Sequence, residues 1–152
     1  MSDLRELYQE LIVDHSKRPR NFGKLERPTH EADGFNPLCG DKVHLYLSIE
    51  GGKVAGVRFE GAGCAISTAS ASMMTEALKG KTPQEASALF ERFRELVTGK
   101  ADGEDMGKLA VFAGVRDYPA RVKCASLAWH TLQSALENKN EVVSTEKGTE
   151  EL

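Results

Sequence analysis

Cysteine is scarce, positive charge is not in excess, and no long apolar run occurs. Each of these absences removes a class of protein. Three cysteines stand among 152 residues. An odd number cannot close completely into disulfides within one chain, so the chain is not a disulfide-stapled scaffold, and thiols or metal ligands are the expected state of the cysteines. No two of them show the close Cys-x-x-Cys spacing of a zinc finger. The formal net charge is -3, which argues against a dedicated nucleic-acid binder, since such proteins need clustered positive charge to displace counterions. No stretch is apolar enough to span a bilayer. Residues 2–10 are polar and acidic, unlike a signal peptide. The expectation is a cytoplasmic protein with no nucleic acid and no membrane as partner. There is no internal repeat.

What remains is ordinary for a globular domain: 40% hydrophobic and 28% charged residues, in a chain long enough to bury a core without staples. One domain is expected over residues 1–138, with a polar, disordered tail at 139–152. The basic stretch Lys17, Arg18, Arg20, Lys24 and Arg27 reads as a solvated loop after a helix, a docking patch for an acidic protein being the alternative.

The hydrophobic pattern is that of an α+β fold. Ser2 and Asp3 can cap a first helix, in which Leu4, Leu7, Tyr8, Leu11 and Ile12 form one stripe and which Pro19 ends. Residues 18–38 read as loop with at most a short irregular strand, Pro28, Gly34 and Pro37 acting as breakers. Val43, Leu45, Leu47 and Ile49 alternate with polar residues. So do Ala55, Val57 and Phe59, across a Gly51–Gly52 hairpin turn. Helices follow over 65–79 and 83–98, the second opened by the Thr82–Glu85 capping box with Pro83 in its first turn. Residues 99–107 read as a linker, Leu109–Ala113 as a short helix, and 119–136 as the last helix. The pair Met73–Met74 sits at helix spacing and reads as core.

The cysteines gain meaning from their neighbours. Cys39 lies in Pro37-Leu38-Cys39-Gly40-Asp41, a turn before a strand. Cys64 follows Gly61-Ala62-Gly63, between a strand and a helix. Cys124 falls in the first turns of the last helix. Helix N-termini favour a thiolate over a thiol, and thiolates bind metals and attack sulfur. Glycines let the backbone approach an ion. Asp41, two residues after Cys39, can share its side of an extended segment. Three thiolates and one carboxylate make the tetrahedral count that zinc prefers, and three thiolates also suit an iron–sulfur cluster. Spacing by itself leaves open a second reading, in which the three are unrelated buried thiols. His15 reads as a cation at the carbonyl end of a helix. His44 and His130 read as surface or locally bonded residues rather than ligands.

Taken together, Asp14-His15 with Pro19-Arg20-Asn21, Asn36-Pro37-Leu38-Cys39-Gly40-Asp41, Gly63-Cys64-Ala65-Ile66-Ser67-Thr68-Ala69-Ser70 and Arg121-Val122-Lys123-Cys124 resemble the U-type scaffold family of iron–sulfur cluster assembly. The resemblance runs over residues 4–137. It implies a NifU/SufE-like two-layer fold, a small antiparallel sheet of about three strands covered by helices. It also implies that Cys39, Asp41, Cys64 and Cys124 converge on one metal. Lys123 stands where the housekeeping branch has histidine. Asp117-Tyr118-Pro119-Ala120-Arg121 replaces that branch's motif for an Hsp70-type chaperone, and the helix at 83–98 lengthens the gap between the second and third cysteines. These features are similar to the SUF-system, SufU-type branch. That branch implies a zinc-dependent sulfurtransferase in which Cys39 accepts persulfide sulfur from a cysteine desulfurase, for downstream assembly proteins or apo-protein acceptors. Arg121, one helical turn before Cys124, has a supporting catalytic role in this reading. A scaffold carrying a transient iron–sulfur cluster ranks second, and a structural zinc module third.

Overall fold

The computed structural model of the protein describes residues 2–37, 39–103, 106–137 and 143–144; in residues 2–7 and 143–144 it describes the backbone. Helix α1 (Ser2–Lys17) leads into an irregular segment and then strands β1 (His30–Asn36), β2 (Asp41–Glu50) and β3 (Lys53–Ala62). Helices α2 (Ala65–Leu78) and α3 (Pro83–Val97), a 3-10 helix (Gly107–Val115) and α4 (Pro119–Leu136) follow. A two-residue strand, β4 (Val143–Ser144), comes last. The sheet order is β3-β2-β1-β4. The first three strands are antiparallel, and β4 adds a short parallel edge beside Gly34 and Phe35. The rest of the expected tail lies outside the described residues.

One face of the sheet is apolar because Val43, Leu45 and Leu47 of β2 alternate inward, as do Val57 and Phe59 of β3. Helices α2 and α4 cover that face. Trp129, Phe93, Phe112, Leu127 and Leu132 fill the space beneath them, each 0% exposed. Met73 and Met74 are core, as their spacing predicts. Of the α1 stripe, Tyr8, Leu11 and Ile12 pack against this core. Thr82 accepts from the Glu85 amide and Glu85 returns the bond, so the capping box opens α3 as read.

The structure departs from the sequence reading in three places. The segment expected to be loop contains β1, a regular seven-residue strand. Its buried positions are Ala32, Gly34 and Asn36, none of them a strong strand former, so the strand is imposed by pairing along β2 and not by propensity. Gly34 belongs there because α4 packs directly on it. A side chain at 34 would run into Thr131 Oγ1, with Leu127 and Val43 close behind. In β3 the register skips a residue opposite Ser48 and Ile49. This bulge reverses the alternation at its start: Val54 is 2% exposed, whereas Ala55, expected inside, faces solvent.

His15 is the third departure. It is 1% exposed, not a solvated cation. Its Nδ1 shares a 2.7 Å hydrogen bond with Ser72 Oγ. Burial lowers its pKa, with the Arg20 charge as the next cause. The Arg20 amide donates to the same hydroxyl at 2.8 Å, and Asn21 Nδ2 donates to Thr75 Oγ1 at 3.0 Å. The Asp14-His15 and Arg20-Asn21 motifs thus clamp the start of the sequence onto α2. Asp14 takes up two of the loop cations, Arg20 at 2.7 Å and Arg18 at 3.3 Å.

Candidate metal centre

Three chain segments meet at one end of the sheet. The β1–β2 turn carries Cys39, the β3–α2 junction carries Cys64, and the second turn of α4 carries Cys124. Asn36 and Asp41 close the turn as cross-strand partners, so their side chains share one face. Cys64 is the N-cap of α2, and its sulfur accepts from the Ser67 amide at 3.4 Å. That contact takes the place of the usual hydroxyl cap.

The sulfurs of Cys39 and Cys124 and a carboxylate oxygen of Asp41 lie within 4.8 Å of one another. Cys39 Sγ and Cys124 Sγ are 3.3 Å apart. The structure therefore brings together three of the four residues read as ligands. Cys64 stands at the edge of this trio, its sulfur 4.0 Å from Asp41 Oδ2. Exposure separates the four: Asp41 and Cys124 are 0% exposed, Cys64 is intermediate and Cys39 is exposed.

The Asp41 carboxyl group is held by amides. Oδ1 accepts from the Cys64 backbone N–H at 2.9 Å, and Oδ2 accepts from Asn36 Nδ2 at 3.1 Å. The same Asn36 amide lies 3.5 Å from Cys124 Sγ as a donor. Gly63 makes the room for this cradle, because a Cβ there would sit 2.5 Å from Asp41 Oδ1. Among the described residues no cationic side chain pairs with Asp41. A carboxylate buried among thiols without a counter-charge is costly, and a bound cation is the arrangement that relieves it. The donor set, three sulfurs and one oxygen, is the set zinc takes.

The helix N-terminus does not make Cys124 a thiolate in the metal-free protein, as its position suggested. Burial pushes its pKa upward, and the Cys39 and Asp41 side chains beside it add to the shift. The dipole effect fades beyond the first helical turn, and Cys124 is past it. Arg121 is exposed, one turn before Cys124, and makes no ion pair among the described residues. His44 is not a ligand: it bridges Asp33 and Glu31 on the outer face of the sheet. His130 packs edge-on against Phe90 at 5.0 Å. Sequence reasoning passed over Asn36. It stood only as the first residue of the Asn36–Asp41 motif, in a segment read as loop, where a polar side chain does not announce burial.

The NifU-like N-terminal domain profile matches residues 7–125. The chain belongs to that family. The zinc-dependent sulfurtransferase SufU of Bacillus subtilis is 42% identical over 137 residues, 89% of this chain and 92% of the relative. The iron–sulfur cluster assembly scaffold protein IscU of Thermotoga maritima is 41% identical over 133 residues, 86% of this chain and 92% of the relative. A crystal structure described as a scaffold protein for the SUF system, from Fervidobacterium islandicum AW-1, superposes with a TM-score of 0.80 at 42% identity. It is matched over 87% of this chain and 98% of its own. This NifU-like chain is accordingly an iron–sulfur cluster assembly protein of the IscU/SufU type, and its two-layer fold is the one the sequence implies. No helix among the described residues is long and apolar enough to cross a membrane.

Proposed function

We propose that this NifU-like protein is a zinc-dependent sulfur carrier, in which Cys39 accepts a persulfide sulfur from a cysteine desulfurase and passes it to downstream assembly proteins or apo-protein acceptors. The observation that carries this reading is the division of exposure within one thiol cluster: Cys39 is open to solvent while Cys124, 3.3 Å away, is closed to it. A sulfur that must enter a partner's active site has to lie on the surface, and a turn between two strands is the kind of segment that can reach. The relative named as a zinc-dependent sulfurtransferase supports the same assignment.

Cys39, Asp41, Cys64 and Cys124 would hold the zinc, whose charge would favour deprotonated thiols and tie the three segments together. The protein's own groups do the rest. The Cys39 thiolate attacks the terminal sulfur of the desulfurase persulfide. A new S–S bond forms at Cys39, the S–S bond on the donor breaks, and its electron pair leaves on the donor cysteine as a thiolate. Asp41 stays in place through its two amide bonds while Cys39 moves. Arg121 lies on the exposed first turn of α4, where its charge faces an incoming anionic persulfide.

A cluster-bearing scaffold is the second reading, favoured by the 41%-identical relatives named as scaffolds. Incubation with desulfurase and cysteine, followed by peptide mass spectrometry, tests the first. The added sulfur is expected on Cys39 and is expected to vanish in Cys39→Ser. Sulfur mapped to Cys64 or Cys124, or normal uptake by Cys39→Ser, refutes it. Protein purified without oxygen that carries iron and sulfide instead of zinc supports the scaffold.

A further inference from the structure

We infer that Asn36 is the positioning residue of this site: its side-chain amide sets the donor orientation of Asp41 and Cys124 and thereby the strength of metal binding. This inference rests on the metal-site reading above and adds a residue to it. Asn36 is 0% exposed and ends β1 opposite Asp41, the first residue of β2. One NH₂ group faces two donors of the site, Asp41 Oδ2 at 3.1 Å and Cys124 Sγ at 3.5 Å. These donors belong to segments 83 positions apart by their numbers, and the Asn36 amide donates to both.

The chemistry follows from that double contact. A carboxylate with Oδ1 fixed by the Cys64 amide can still rotate Oδ2 away from the thiols. The Asn36 bond removes that freedom, so the oxygen beside the sulfurs is already aimed. The same NH₂ group lies 3.5 Å from Cys124 Sγ, so it also fixes where that sulfur sits relative to the Asp41 oxygen. Asparagine suits the task because it carries two donors on a short stem. A carboxylate at 36 would supply no donor and would bring a further negative charge to the cluster. The bonds Asn36 makes to the donor set run to Asp41 and Cys124, so it acts on the site through them.

The test is metal affinity and metal spectroscopy in the full-length chain. Wild type, Asn36→Leu and Asn36→Ser are titrated with zinc against a chromophoric chelator, and with cobalt(II) as a spectroscopic probe of thiolate ligation. Both variants are expected to bind zinc about 10–100-fold more weakly and to shift the sulfur-to-cobalt charge-transfer band. A space-filling role would spare Asn36→Leu, which fills the site with a side chain of the same branched shape. A double-mutant cycle with Asp41→Ala adds a check: the loss from Asn36→Ser should shrink in that background, because the partner through which it acts is gone. Wild-type affinity and an unshifted band in both variants overturn the proposal while leaving the site intact, as does strict additivity in the cycle. A wild-type protein that shows no thiolate-to-cobalt band overturns the metal-site reading itself, which distinguishes the two failures.

Discussion

Adding one methyl group at Gly63 gives the cleanest test of the Asp41 cradle. Gly63 lies outside the left-handed region, so alanine fits its backbone, and the effect of Gly63→Ala is one of contact alone. The new Cβ would lie 2.5 Å from Asp41 Oδ1, 3.0 Å from Cγ and 3.1 Å from the Asp41 Cβ. All three atoms belong to a side chain that is 0% exposed, so the carboxylate has no open space to retreat into. Reaching ordinary van der Waals separation requires a movement of about 1 Å, enough to break the 2.9 Å bond from the Cys64 amide and to draw Oδ2 off Asn36. Overpacking of this kind costs about 1–3 kcal/mol, which corresponds to zinc binding weaker by roughly 5–150-fold when binding must pull the carboxylate back. Gly114→Ala is the control, since Gly114 has nothing within 4 Å of an added Cβ and no positive φ. Chelator-competition titrations of the three proteins read the difference, with thermal melts of the metal-free forms alongside. Wild-type zinc affinity in Gly63→Ala would refute the claim that a fixed Asp41 carboxylate is part of the site.

Two further outcomes follow from groups outside the cradle. His130 carries a buried Nε2 with no hydrogen-bond partner among the described residues, and burial first, then the Arg94 charge, push its pKa from 6.5 down to about 4. The unfolded chain takes the proton near the ordinary value while the folded one refuses it, so stability present above that value is lost as pH falls toward the folded pKa, about 3 kcal/mol in all. Urea melts at about pH 8 and about pH 5 should show wild type losing about 2 kcal/mol more than His130→Leu, and parallel losses would refute the assignment. Arg121→Ala is expected to slow sulfur uptake from a desulfurase by about 1.4–5-fold, the range of an exposed charge pair, with zinc content unchanged; unchanged uptake kinetics would leave Arg121 an ordinary surface residue.

The reading from sequence succeeded where a residue's local neighbours decide its fate. The Thr82–Glu85 box and Gly51–Gly52 each act within a few positions, and the structure has the helix start and the hairpin they imply. The span 119–136 read as the last helix is the span α4 occupies. Where tertiary partners decide, the signal was weak. Strand β1 has Gly34 at its centre because a helix more than ninety positions later lies against it, and no window of sequence holds both. The bulge at Ala55 moved Val54 inward by adding one residue to a register, which leaves no compositional mark. Flanking glycines and Asp41 pointed to the cysteines. Asn36 escaped notice because its partners are Asp41, five positions on, and Cys124, 88 positions on.

The separation of Cys39 from Cys124, 85 positions along the chain, also orders events during synthesis. A ribosome that has made strands β1 to β3 and α2 has made Cys39, Asp41 and Cys64, yet the site is still open. The third sulfur arrives with α4, the helix whose Leu127 and Thr131 sit against Gly34 of β1. A chain that stops before Cys124 therefore offers two thiols at most, and the full donor set exists only once the last helix has docked. Metal held by the full donor set thus reports that α4 has been made and has docked, so a product that stops short of α4 cannot compete for the ion on equal terms.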